Sequence, residues 1–253
     1  MLRSLIFAVV FYVNIAVFLI FSLPLLLGPR RWAMAALEAH ARVSIWWMRV
    51  IVGTGLEVRG RENLPAGPAL IASKHQSAWD TFGLIPLTRD PAMVMKKELL
   101  SLPIYGWFCR KFEMIPIARE LGPAALRQMV REAAKRAGEG RDVVIFPEGT
   151  RRAPGAPGAY MPGVVMLYEQ LKLPCVPVAL NSGVFWPRRS IWRRPGTIVV
   201  EFLPAIPPGV PRRDFRALLE DRIETATARL VAPYAAELAA RKSAAEASDE
   251  GRL

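Results

Sequence analysis

His75 and Asp80 stand five residues apart in the stretch S-K-H-Q-S-A-W-D, residues 73–80, and together they can make an oriented general base. A histidine titrates near neutrality, so a positioned imidazole can take a proton from a hydroxyl and return it later. On one continuous helix a five-residue step turns the second side chain by roughly 140° from the first, which keeps the two apart. They meet only if His75 lies in a loop and Asp80 in the first turn of the helix that follows. Ser77 to Asp80 is also S-x-x-D, a capping-box pattern in which the carboxylate serves a backbone N–H, and these residues alone leave both readings open.

The elements on either side must do the positioning. The apolar run 68–72 predicts a buried strand, and the mostly apolar 78–87 predicts a helix. His75 then sits at the carboxyl end of a strand, where open α/β sheets place their ligand crevices. A second strand-to-loop junction has the same character. Residues 142–146 form a buried-strand pattern, and Pro147, Glu148, Gly149, Thr150 and Arg151 follow directly. Gly149 permits close backbone approach to a ligand, and Arg151 offers a planar fork suited to phosphate or carboxylate.

Around these junctions short strands alternate with longer helices, the pattern of an α/β fold with a mostly parallel sheet flanked by helices. Strands are predicted at 56–59, 69–73, 92–95, 113–117, 142–146, 175–180 and 197–203. Helices are predicted at 79–87, 97–111, 123–138, 163–171 and 213–231. The chain has 253 residues, and about 200 remain after its N-terminal segment, enough for one such domain. The expected division is a membrane-inserted helical segment over 1–53, the α/β domain over 54–234 and a polar tail over 235–253.

Residues 5–27 are apolar apart from Asn14 and Pro24, and long enough to cross a hydrocarbon core of about 30 Å. Residues 43–52, V-S-I-W-W-M-R-V-I-V, are too few to span and suit a helix in the interface, so the two are expected to form a membrane-associated hairpin. The Ala33-Met34-Ala35 pattern resembles a signal cleavage site, but the apolar run exceeds a signal core and Arg30-Arg31 intervenes, so retention is expected. Arg30, Arg31, Arg42 and Arg49 follow the segment and only Arg3 precedes it, which places the bulk of the chain in the cytoplasm of a cell whose inner membrane holds it.

A formal charge of +12 calls for an anionic partner. The loop 187–195, P-R-R-S-I-W-R-R-P, surrounds Trp192 with four arginines. Beside a membrane segment, anionic lipid is the expected partner and nucleic acid is not. Cys109 and Cys175 lie 66 residues apart without CxxC or clustered histidines, so no metal site and no disulfide framework is expected.

His75 to Asp80 resembles the HxxxxD motif of the glycerolipid acyltransferase family, and residues 146–151 match its FPEGTR motif letter for letter. The likeness covers roughly residues 51–203 and, within the family, is to bacterial members that acylate 1-acyl-sn-glycerol 3-phosphate. It implies that His75 takes the proton of the acceptor hydroxyl and that Asp80 holds the imidazole. It also implies that Glu148, Gly149, Thr150 and Arg151 bind the acceptor, with Arg151 on its phosphate. By looser likeness Arg119, ending the block 113–119, and Lys97 in K-K-E-L are further phosphate contacts, and Val176-Pro177-Val178 helps shape the acyl pocket. The implied reaction moves a fatty acyl group from acyl-CoA or acyl-carrier protein, as co-substrate, to the sn-2 hydroxyl of lysophosphatidic acid, giving phosphatidic acid. No cofactor and no metal are implied. Another lysolipid acceptor, such as a lyso-ornithine lipid, is the nearest alternative. A non-catalytic, membrane-tethered module that binds anionic lipid is the alternative of a different class.

Overall fold

The computed structural model describes residues 1–118, 122–156 and 158–240. The C-terminal part of the predicted polar tail, 241–253, lies outside the described residues.

Among the described residues, seven strands form one mixed sheet: β1 (Thr54–Arg59), β2 (Leu70–Ser73), β3 (Ala92–Lys96), β4 (Ile115–Ile117), β5 (Val143–Ile145), β6 (Cys175–Leu180) and β7 (Gly196–Phe202). Their order is β1-β7-β6-β2-β5-β3-β4, parallel throughout except for the antiparallel β6/β7 pair. β2, β3, β4, β5 and β6 therefore all end at the same edge, and the loops leaving that edge are brought together.

Both faces of the sheet are covered, which is why the central strands read as unbroken apolar runs rather than alternating ones. Successive side chains point to opposite faces. On β2, Ile71 joins the core under one layer of helices, and Leu70 and Ala72 join the core under the other. The first layer holds α1 (Leu2–Phe21), α2 (Arg30–Trp47), the short α3 (Asp80–Gly83) and α4 (Tyr105–Lys111). The second holds α5 (Gly122–Gly138), α6 (Pro162–Leu171) and α8 (Arg212–Val231), while α7 (Ser182–Phe185) follows β6.

The predicted helix 79–87 is two pieces, because Pro86 cannot continue the α-helical ladder and the chain tightens into a 3₁₀ turn at Ile85–Leu87. Pro103 divides the predicted helix 97–111 in the same way, leaving a 3₁₀ turn at Lys97–Ser101 and then α4. The segment 43–52 is the end of α2, closed by a π-helical turn at Met48–Val52 and by Gly53 in the left-handed conformation at φ 85°.

α1 has a mean hydropathy of 2.6 over its best window and is long and apolar enough, by length and composition, to cross a membrane. One of its faces is nevertheless committed to the domain. Phe7 is buried, and Phe7 and Phe11 meet the Trp186 ring edge-on at 5.5 and 5.2 Å, with Phe82 beside Phe11 at 5.5 Å. Such aromatic pairs add about 0.5–1.5 kcal/mol each beyond area burial. The opposite face exposes Leu2, Leu5, Val9, Val13, Val17 and Ile20, an apolar stripe at helical spacing. The polar Asn14 is absorbed inside the hairpin, donating to Ser44 Oγ at 2.9 Å and lying 3.1 Å from His40 Nδ1 on α2.

Cys109 and Cys175 are both buried and free, and burial pushes the Cys109 thiol up to about 11 and Cys175 higher still. Because the thiolate is the reactive form, neither should be alkylated by iodoacetamide at neutral pH in the folded protein, and both should react in denaturant. Mass spectrometry of the intact protein checks this.

Candidate active site

Ser73 ends β2, and the chain turns through Lys74 to Ala78 before α3 begins at Asp80. Through that turn the imidazole folds back, and His75 Nδ1 lies 3.0 Å from Asp80 Oδ2. A carboxylate can only accept, so the imidazole proton of this bond sits on Nδ1, and in the neutral ring the free lone pair is on Nε2. The ring stacks on Phe146, with centroids 4.1 Å apart and planes 20° from parallel, which fixes its tilt as well as its position.

Asp80 is fully buried and completely used. Oδ2 also accepts from the Gln76 N–H at 2.7 Å and the Ser77 N–H at 2.8 Å, and Oδ1 accepts from the Ser182 hydroxyl. Capping and orientation are therefore not alternatives: one carboxylate ties the turn and holds the imidazole. Ser77 Oγ accepts from the Trp79 N–H at 3.1 Å, and Ser73 Oγ donates to the Lys74 carbonyl at 3.0 Å, so both hydroxyls are occupied away from the imidazole. Gln76 is buried too; its Oε1 accepts from the Gly183 N–H at 3.1 Å.

β5 is the sheet neighbour of β2, so the 146–151 loop leaves the sheet directly beside His75. Glu148, which the family likeness implies binds the acceptor, is placed inside the protein by the structure. Glu148 is 2% exposed, and both its oxygens are taken up within the protein: Oε1 by Lys74 Nζ at 2.9 Å, and Oε2 by the His75 backbone N–H at 3.0 Å. It joins the two loops. The Arg152 N–H, donating to the His75 carbonyl at 2.8 Å, adds a second link. Burial pushes the Glu148 carboxyl up, against the downward pull of the Lys74 ammonium.

Lys74 is itself buried and is shared with α8, where Glu224 accepts from Nζ at 2.8 and 2.9 Å. The Tyr160 hydroxyl donates to the same Glu224 at 2.9 Å. A buried ammonium is thus matched by two carboxylates, with the hydrogen bonds that a charge in the interior requires.

The remaining candidates divide by exposure. Gly149 is half-buried at φ 62°, a left-handed turn that a side chain would strain, while Thr150 and Arg151 are exposed at the loop tip. Lys97 is exposed at the first position after β3, the next strand along the same edge. Arg119 lies outside the described residues. Val176 and Val178 are buried on the face covered by α1 to α4.

Lys74, Glu224, Ser182 and Gln76 were not singled out from sequence. Lys74 carries a usable signal, because a lysine directly after a buried apolar strand needs a carboxylate partner if it is itself buried. Glu224 flanks the buried α8 stripe of Ile223, Thr227 and Leu230, so it was a candidate for that partner. Ser182 left no local signal, since its link to Asp80 crosses 102 residues.

Asp80→Asn separates holding from charge. An amide oxygen can still accept from His75, Gln76 and Ser77, and the amide nitrogen can donate to Ser182 Oγ, so the fold should be kept. The imidazolium formed during proton transfer would lose its countercharge. A turnover loss of roughly 10²-fold or more is expected by analogy with hydrolase triads, with a melting temperature close to wild type; assay and thermal melt of the same preparation check both.

The arrangement places an oriented imidazole beside an exposed guanidinium loop at one sheet edge. The chain is 40% identical over 165 residues to a 1-acyl-sn-glycerol-3-phosphate acyltransferase of Pseudomonas aeruginosa, across 65% of this chain and 64% of that protein. It is 31% identical over 182 residues to the human 1-acyl-sn-glycerol-3-phosphate acyltransferase beta, across 69% of this chain and 66% of that one. The match thus spans less than two thirds of the length of these relatives. In fold it is similar to the crystal structure of the 1-acyl-sn-glycerophosphate (LPA) acyltransferase of Thermotoga maritima, with a TM-score of 0.75, 20% identity, and coverage of 90% of this chain and 96% of that one. The profile of the Acyltransferase family matches residues 55–181, half of the chain and the half that carries both loops, and the chain belongs to that family.

Proposed function

We propose that this protein transfers a fatty acyl group from acyl-CoA or acyl-carrier protein to the sn-2 hydroxyl of 1-acyl-sn-glycerol 3-phosphate, giving phosphatidic acid for phospholipid biosynthesis. The observation that carries this reading is the His75–Asp80 pair at 3.0 Å, held by Glu148 against a loop whose exposed tip is Thr150 and Arg151.

His75 Nε2 takes the proton of the acceptor hydroxyl as its oxygen attacks the thioester carbonyl. Asp80 stabilises the imidazolium that results. Collapse of the tetrahedral adduct breaks the carbon–sulfur bond, and the imidazolium returns its proton to the departing thiolate. Arg151 binds the acceptor phosphate bidentately, with Lys97 adding charge from a neighbouring loop, and Arg119 is a further phosphate contact by the family likeness. The reaction needs no acyl-enzyme, which agrees with Ser73 and Ser77 being hydrogen-bonded elsewhere. No metal and no further cofactor takes part.

The exposed stripe of α1 lies in the hydrocarbon of the inner membrane and the α/β domain faces the cytoplasm. An amphiphilic acceptor then reaches the sheet edge without leaving the bilayer.

The test is the purified full chain in detergent with radiolabelled acyl-CoA or acyl-carrier protein and a panel of lysolipids. Lysophosphatidic acid should be acylated in preference to lyso-ornithine lipid and lysophosphatidylcholine. No transfer from either donor class would overturn the proposal.

A further inference from the structure

The basic loop 187–195 has no part in the chemistry above, and the structure ties it to the membrane helix. Ser4, in the first turn of α1, makes two hydrogen bonds to one residue of that loop: its Oγ accepts from the Arg193 N–H at 2.9 Å and donates to the Arg193 carbonyl at 3.0 Å. The Arg193 guanidinium lies 4.0 Å over the Trp186 ring, the same ring that Phe7 and Phe11 pack against. Burial pushes Arg193 down to about 10, which leaves it charged at neutral pH.

The four arginines therefore have different jobs. Arg193 is turned inward and Arg194 pairs with Glu237 at 2.6 Å. Arg188 and Arg189 are exposed, and Arg188 Nη1 donates to the carbonyl of Arg151 at 2.8 Å, joining this loop to the guanidinium loop of the site. Beside them Ile191 is 57% exposed and Trp192 38% exposed, close in character to the outward Leu2, Leu5 and Val9 of α1. An exposed Ile-Trp pair flanked by arginines matches the headgroup region, where tryptophan is half wet and cations meet phosphates.

We propose that the loop 188–192 is a second membrane contact that docks on anionic phospholipid headgroups, with Ile191 and Trp192 seated at the interface and Arg189 on lipid phosphate, at a position set by Ser4 relative to α1. It rests on the membrane placement of α1 proposed above and adds a surface to it. One consequence is that the headgroup plane reaches the Arg151 loop, where the acceptor phosphate is expected.

The experiment uses the full chain, whose two native thiols are buried, carrying a polarity-sensitive fluorophore on Ile191→Cys, Val9→Cys or Gln170→Cys, the last at an exposed position of α6. Each is reconstituted with phosphatidylcholine vesicles, with and without a third of phosphatidylglycerol, and quenched by headgroup-labelled or acyl-labelled lipid. The label at 191 should shift to the blue in anionic vesicles and be quenched by headgroup-labelled lipid several-fold more than the label at 170. Arg189→Asn, which tolerates the left-handed φ of 57° found there, should weaken the anionic preference roughly five-fold, about 1 kcal/mol for one surface cation. If the label at 9 is quenched by acyl-labelled lipid and the label at 191 stays as wet as that at 170, the loop proposal is overturned and the α1 placement stands. If neither is quenched, both fall; quenching at 191 alone overturns the α1 placement and, with it, a loop position set by Ser4 relative to α1. Binding of a labelled nucleic-acid duplex that is lost in Arg189→Asn, with 191 in water, also overturns it.

Discussion

His75→Ala is expected to reduce acyl transfer by on the order of 10²–10⁴-fold, the range for a positioned general base, without unfolding the protein. Stability should survive because the imidazole side chain is partly exposed and His75 is held mainly through its main chain. Its N–H donates to Glu148 and its carbonyl accepts from Arg152, and neither bond involves the ring. Asp80 loses one of its donors but keeps the Gln76 and Ser77 N–H groups and the Ser182 hydroxyl, so its charge is not stranded. Thermal melting should stay near wild type while acyl-acceptor product falls to the detection limit. Activity within ten-fold of wild type in a folded His75→Ala protein would remove the imidazole from the mechanism.

Lys74→Met should have the largest effect on stability. The change takes away the ammonium that Glu148 and Glu224 share and leaves Glu148 buried with a negative charge and no cation. Breaking a buried pair from one side typically costs about 3–5 kcal/mol, which at about 2–4 °C per kcal/mol is a fall in Tm of roughly 6–20 °C. The double change Lys74→Met with Glu148→Gln should recover part of the loss, because a neutral amide can still accept from the His75 N–H. Thermal melts of the three variants in one detergent check both statements. A Lys74→Met protein as stable as wild type would show that this network does not hold the two loops.

The legible features were those written locally. The buried runs around β2, β5 and β6, and the fold class they imply, follow from apolar character over a few residues. Element ends were less legible where Pro86 and Pro103 broke the helices, though those residues were in plain view. α2 begins at Arg30 and was read only over its final apolar part, because its first half mixes charged and small residues and buries a narrow stripe of Ala33, Met34, Leu37 and Ala41. The His75–Asp80 pair could be argued from spacing and a strand-to-helix turn. What holds that pair could not, because Glu148, Ser182 and Glu224 reach the 74–80 turn from residues far along the chain. Glu148 shows the limit most sharply, because nothing in its motif tells that Lys74 and the His75 N–H take up its carboxylate.

The most direct measurement of direct, histidine-based transfer is a single turnover with a labelled acyl thioester, quenched in acid and resolved into protein and lipid fractions, with lysophosphatidic acid present or omitted. The expected result is label in phosphatidic acid only when the acceptor is present and none on the protein in either case. Label attached to the protein without acceptor, which then chases into phosphatidic acid when acceptor is added, would contradict it.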